Sequence, residues 1–123
     1  MNTSPRVTVI MRTRNSDWVV AQALASLFSQ NFTDFSLMVV DSGSTDRTRD
    51  IVSHYPCDLT VIEATSYYPG AVLNAAIERA SSDIVVFQNS DVAFLSPYSL
   101  ERLVAAFDTP DTAAAFGRQI PRP

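Results

Sequence analysis

The stretch LMVVDSGSTDRT at residues 37–48 decides the fold. Four apolar residues run directly into Asp41, then Gly43, then a Ser-Thr-Asp cluster. That order describes a buried strand ending in a carboxylate, a tight turn and the capped start of a helix. In an open α/β sheet, ligands bind in the crevice beyond the carboxyl ends of the strands. Residues 84–87 (IVVF) repeat the arrangement and lead into Gln88, Asn89, Ser90 and Asp91. Two buried strands delivering acidic or amide groups to one edge point to a phosphorylated ligand held with metal assistance.

Outward from these two strands, residues 7–11 (VTVIM) read as a strand buried on both faces. Ser16 can cap the helix that follows, with Asp17 favourable at its positive end. Val20, Ala23, Leu24, Leu27 and Phe28 form that helix's apolar stripe. Residues 35–40 are the second strand. Ser44 or Thr45 is expected to cap a helix of about ten residues that faces Ile51, Val52 and Tyr55 inward. Pro56 ends it.

A short strand follows at 59–63, and Pro69 and Gly70 open a third helix on Val72, Leu73, Ala76, Ile77 and Ala80. After the strand at 84–87, Pro97 can occupy the first turn of a helix carrying Leu100, Leu103, Val104 and Phe107. A fifth strand is expected at 113–116. This β-α alternation implies a mostly parallel sheet with helices on both faces and right-handed crossovers. The 123 residues provide one domain and one core. The sequence stops soon after the last expected strand, so residues 1–123 are expected to be part of a larger domain.

Hydrophobic content of 46% with 18% charged residues suits a soluble globular protein. No apolar run approaches the roughly 20 residues of a membrane span. The polar start, MNTSPR, lacks a signal-peptide core. A cytoplasmic location, including the periphery of the inner membrane face, is the expectation. A net charge of −4 argues against nucleic acid as a partner. The basic residues are all Arg, which can grip phosphate locally by bidentate contact. The single cysteine, Cys57, has no second Cys or His pair nearby and reads as a connector residue. His54, the only histidine, reads as a solvated group at a helix C-terminus.

Candidate ligand residues cluster at the strand exits. Arg12, Thr13, Arg14 and Asn15 follow the first strand and could hold a base and phosphates; alternatively they form a solvated loop. Asp41, with Ser42 beside it, could accept from a nucleobase N–H or a ribose hydroxyl, or serve the turn. Asp46 and Thr48 are assigned to helix capping. Asn89 and Asp91 fall on one side of an extended segment, with Ser90 opposite. Their oxygens could face a diphosphate-bound Mg²⁺ or Mn²⁺. Tyr67 and Tyr68 precede a helix and could stack on a ring or simply pack.

Taken together, VTVIMRTRN (7–15), SLFSQNF (26–32), VVDSGSTDRT (39–48), GAVLNAAIERASSDIVVFQNSD (70–91) and AAFGRQIP (114–121) resemble the family 2 glycosyltransferases of GT-A fold. The resemblance covers nearly the whole chain, and its last two segments, with the aromatic-Gly entry near Tyr68, look most like bacterial rhamnosyltransferases and polysaccharide glycosyltransferases. It implies a Rossmann-like nucleotide-diphospho-sugar transferase fold. It implies transfer of a sugar from a nucleotide diphosphate to an acceptor hydroxyl with inversion, in cell-surface polysaccharide synthesis.

The resemblance further implies that Arg12–Asn15, Asp41 and Ser42 hold the nucleoside, and that Gly70 and Asn74 flank the diphosphate. Asn89 and Asp91 would take the family's D-x-D metal places. Here Ser42 stands where a second acid is common, and Asn89 replaces the first acid of D-x-D. The partners implied are a nucleotide-diphosphate sugar and a saccharide or lipid-linked acceptor; a homodimer is the expectation if apolar surface is left uncovered. No catalytic base is identified, since the family takes it from the region beyond this sequence. Two other readings stand beside this one: a non-catalytic nucleotide-sugar-binding or scaffold module, and a sugar-phosphate nucleotidyltransferase. The latter is disfavoured because RTRNSDW has neither Gly nor Lys.

Overall fold

The computed structural model describes residues 4–66 and 68–121. Four strands among them form one parallel sheet in the order β3-β2-β1-β4: β1 (Val7–Thr13), β2 (Phe35–Asp41), β3 (Asp58–Val61) and β4 (Ile84–Phe87). The expected strands are present except the fifth: residues 112–121 carry no helix or strand, and Phe116 lies 95% exposed. The apolar run AAAF has no neighbouring strand to pair with among the described residues, and a strand needs a partner.

β1 and β2 both run further than their apolar residues suggest. Arg12 stands opposite Val40, and Thr13 opposite Asp41. The ladder therefore carries both polar exits in register to the same edge.

Helices cover both faces, as expected. α1 (Val20–Phe28), α2 (Thr48–Val52) and α4 (Ser99–Ala105) share one core with the sheet, built on Val9, Met11, Leu24, Leu27, Val39, Val52 and Leu100. α3 (Pro69–Arg79) packs Ala76 and Leu73 against Ile10 and Met38 on the other face. Pro69 occupies its first turn, as the sequence predicts.

Three helix starts differ from the sequence expectation. α2 has five residues rather than about ten. Ser44 and Thr45 do not cap it, because the Ser44 hydroxyl donates to Asp41 and the Thr45 N–H donates to Asn15 Oδ1. Asp46 Oδ1 instead accepts from the Thr48 N–H and Thr48 Oγ1 at 2.9 and 2.6 Å. α1 begins after a turn at 17–19, and the Ser16 carbonyl, not its side chain, accepts the Val20 N–H. α4 begins at Ser99, so Pro97 lies before it. Gln30, at the end of α1, accepts the Leu100 N–H through Oε1 and donates to the Ser96 carbonyl. One side chain thereby clasps α4 to α1. No helix among the described residues is long and apolar enough to cross a membrane.

Candidate functional site

The carboxyl ends of β1, β2 and β4 open onto a cleft of about 520 Å³. It is lined by Arg12, Thr13, Arg14, Asn15, Ser16, Trp18, Val19, Ser42, Asn89, Ser90 and Asp91. Loops from three separate chain segments thus converge at the edge where open α/β sheets take ligands. Asn89 and Asp91 are both exposed to the cleft, with the Ser90 hydroxyl 3.0 Å from that of Ser16. This contact joins the exits of β1 and β4.

Of the residues expected from sequence, Asp41, Gly70 and Asn74 do not line the cleft. Gly70 and Asn74 are exposed on α3. Asp41 is fully buried, and its carboxylate is already committed. Oδ1 accepts from Thr13 Oγ1 at 2.7 Å, and from the Ser44 hydroxyl; Oδ2 accepts the Ser44 N–H at 2.8 Å. A carboxylate with three local donors shapes the exits of β1 and β2 from behind the cleft wall.

Asn15 is likewise engaged. It holds a positive φ of 47°, its N–H donates to Ser44 Oγ, and its Oδ1 accepts the Thr45 N–H. Asn tolerates this left-handed conformation better than most residues. Gly43, with φ of 82°, supplies the second left-handed position of the same pair of turns.

Asp17 and Asp46 brace these turns from outside. The Asp17 N–H donates to Asp46 Oδ2 at 3.1 Å, and the Arg47 N–H donates to Asp17 Oδ2 at 3.4 Å. Desolvation alone would raise the Asp46 carboxyl. Hydrogen bonds from the Thr48 side chain and backbone and from Asp17 outweigh it and hold the group below its ordinary value.

Trp18 and Gln88, in and behind the site, were not singled out from sequence as site residues. Trp18 lies 73% exposed on the cleft wall. Gln88, only 3% exposed, donates from Nε2 to the Ala23 and Val92 carbonyls at 3.1 and 2.8 Å. It ties the 89–92 turn to α1, and the signal was a lone amide directly after an apolar strand. Tyr68 is exposed at the start of α3 and does not line the cleft, while Tyr67 lies outside the described residues. His54 is exposed, with Nδ1 2.8 Å from the Asp50 carbonyl, consistent with the helix-end role.

As metal ligands, the cleft offers one carboxylate, Asp91, and one amide oxygen, Asn89. No group of three His, Cys, Asp or Glu side chains among the described residues could hold an ion by itself. That donor set fits Mg²⁺ or Mn²⁺ only when phosphate oxygens complete the shell, which is how such ions commonly bind.

Comparison with known proteins agrees with this arrangement. The chain is 38% identical over 86 residues to the O-antigen chain rhamnosyltransferase WbaN of Salmonella anatum, covering 69% of this chain and 27% of that protein. It is 37% identical over 92 residues to the poly(ribitol-phosphate) beta-N-acetylglucosaminyltransferase TarS of Staphylococcus aureus, covering 70% of this chain and 16% of that protein. The crystal structure of S. aureus TarS 1-349 superposes with a TM-score of 0.72 at 30% identity, covering 95% of this chain and 38% of that one. The mannosyltransferase PcManGT of Pyrobaculum calidifontis, in complex with GDP-Man and Mn²⁺, superposes at 0.73 with 31% identity, covering 86% and 33%. The chain therefore spans well under half the length of these relatives. Residues 8–122 match the sequence profile of glycosyl transferase family 2. With its parallel sheet, its strand-end cleft and this match along nearly its whole length, the chain belongs to glycosyl transferase family 2.

Proposed function

We propose that residues 1–123 form the donor-binding part of an inverting glycosyltransferase of cell-surface polysaccharide synthesis. It would bind a nucleotide-diphosphate sugar for transfer to a hydroxyl of a saccharide or lipid-linked acceptor. The observation that carries this reading is the meeting of Arg12 and Arg14 with Asn89 and Asp91 in one cleft. Guanidinium groups pair with phosphate oxygens, and an exposed carboxylate beside them suits a phosphate-bound cation. Relatives support the choice of donor: TarS 1-349 is known in complex with UDP-GlcNAc, and PcManGT with GDP-Man and Mn²⁺.

In this reading Asp91 and Asn89 hold Mg²⁺ or Mn²⁺ against the diphosphate. The ion, when bound, offsets the negative charge that develops on the leaving nucleotide diphosphate. Arg12 and Arg14 grip phosphate oxygens from the β1 side. Thr13 and Ser42 lie on the same wall with their hydroxyls turned inward, to Asp41 Oδ1 and the Thr13 carbonyl, and Asp41 fixes both segments from behind. Among the described residues Asp91 is the only carboxylate lining the cleft. Assigned to the metal, it is not available as the base that deprotonates the acceptor. We place that base in a part of the protein outside these residues.

Calorimetric titration with UDP-, GDP- and dTDP-sugars, with and without Mn²⁺, tests the reading. Binding that strengthens with Mn²⁺, and loses that dependence in Asp91→Ala, is the expected result. Absence of heat with every donor, against a chain shown folded by circular dichroism, would overturn it.

A further inference from the structure

We infer that Trp18 is a stacking wall for the nucleobase of the bound nucleotide, an inference that rests on the donor-binding reading above and adds the residue that holds the base. Trp18 is the only tryptophan of the chain. It stands 73% exposed on the wall of the cleft that also holds Arg12, Arg14 and Asp91. Large aromatic side chains usually bury most of their surface, so a tryptophan this exposed on a cleft wall has area to offer a ligand.

The backbone on both sides of Trp18 is fixed. The Ser16 N–H donates to the buried Thr48 Oγ1 at 2.7 Å, and the Asp17 N–H donates to Asp46 Oδ2 at 3.1 Å. On the other side Val19 is buried in the core, its N–H bonded to the Ser16 carbonyl at 3.0 Å. The indole therefore projects from a braced turn rather than a loose loop. A preorganised ring loses little freedom when a ligand stacks on it.

The chemistry of the cleft selects the ligand ring. Two guanidinium groups provide for phosphate, and the neutral flat face beside them provides for a planar heterocycle. Together they match a nucleotide, which joins both features in one molecule. Stacking is tolerant of base identity, because every base presents a π-face. Trp18 thus contributes affinity for base-bearing ligands, and leaves discrimination among bases to hydrogen-bonding groups.

Because no second tryptophan contributes, fluorescence excited at the red edge of the tryptophan band, where the four tyrosines and the nucleobases scarcely absorb, reports on this residue alone. The chain is titrated with UMP, GMP, UDP and GDP, and in parallel with pyrophosphate, ribose 5-phosphate and glucose 1-phosphate. Calorimetry is run on the same samples. The expected result is quenching by the four base-bearing ligands and none by the three base-free ones. Trp18→Ala is expected to weaken UDP or GDP binding roughly tenfold, with Trp18→Phe restoring most of it and the melting temperature of both variants unchanged. Calorimetric binding of UDP or GDP without fluorescence change, and unaffected by Trp18→Ala, would overturn the stacking role and leave the donor-binding reading intact. Quenching by ribose 5-phosphate or glucose 1-phosphate equal to that by UMP would overturn the assignment to the base. No heat with any ligand would overturn both.

Discussion

Thr13 Oγ1 donates a 2.7 Å hydrogen bond to Asp41 Oδ1, between two residues that face each other at the last rung of the β1–β2 ladder. Both are buried, and Asp41 also accepts twice from Ser44. The carboxylate is the common anchor of the two loops that frame the cleft. Asp41→Ala leaves the Thr13 hydroxyl and the Ser44 N–H buried without an acceptor. The expected loss is about 2–4 kcal/mol, from unpaired buried donors and the lost charge-assisted bonds. Urea denaturation measures it directly, and an Asp41→Ala chain as stable as the parent would refute the anchor role.

Gly43 sets the turn between that anchor and α2. Its φ is 82°, and a Cβ there would meet Ile62 O and Ala64 N at an unstrained 3.6 Å. The cost of Gly43→Ala is therefore backbone strain rather than a clash, about 1–2 kcal/mol. Gly43→Asn should cost less, because Asn visits this region more readily. A shift of the denaturation midpoint with unchanged slope is the expected signature.

Gln30 clasps α4 to α1 through contacts at 2.9 Å to the Ser96 carbonyl and 3.0 Å from the Leu100 N–H. Gln30→Leu removes the acceptor of a buried N–H at the first turn of α4. A loss of about 1–3 kcal/mol follows. Hydrogen exchange should localise the effect to residues 96–104, with α3 amides unchanged. Uniform loss of protection across the sheet would contradict a local clasp.

Acid should weaken the brace between Asp17 and Asp46. The Asp46 carboxyl lies below its ordinary value of 3.8 in the folded chain, so the unfolded chain binds its proton more readily. Its contribution is present in full above the unfolded value and is lost as pH falls through the lower folded one. The melting temperatures of the parent and of Asp46→Ala should differ at neutral pH and converge below about pH 4. A gap between them that stays constant from pH 6 to pH 3 would rule this out.

The strands were legible because their residues satisfy one local requirement each. VTVIM, FSLMVV and IVVF are apolar at nearly every position, as strands covered on both faces are, and all three occur where expected. That the Arg12–Asn15 loop, Ser42 and Asn89–Asp91 meet at one cleft was legible by position alone, since strand exits in parallel sheets share one edge. Ser44 and Thr45 misled, because a hydroxyl's partner is set by what is near in space. Ser44 turns to Asp41 and Thr45 to Asn15, leaving Asp46 to start the helix. Trp18 was passed over, since one exposed aromatic and one buried aromatic read alike in a sequence.

By itself the sequence determined the alternation of strands and helices, the parallel sheet and the edge where polar groups gather. Those follow from burial periodicity and short connections, which act over neighbouring residues. Only the tertiary structure decided which polar groups face the cleft and which are consumed in holding it. Asp41 and Asp91 are the same residue type, one closing an apolar strand and the other in the turn that follows one. Packing buries one among Thr13 and Ser44, and leaves the other open to solvent. That difference comes from desolvation by the packed sheet and from the donor Thr13, 28 positions away in the chain, added to the two local donors of Ser44; no local reading of the sequence contains the first two.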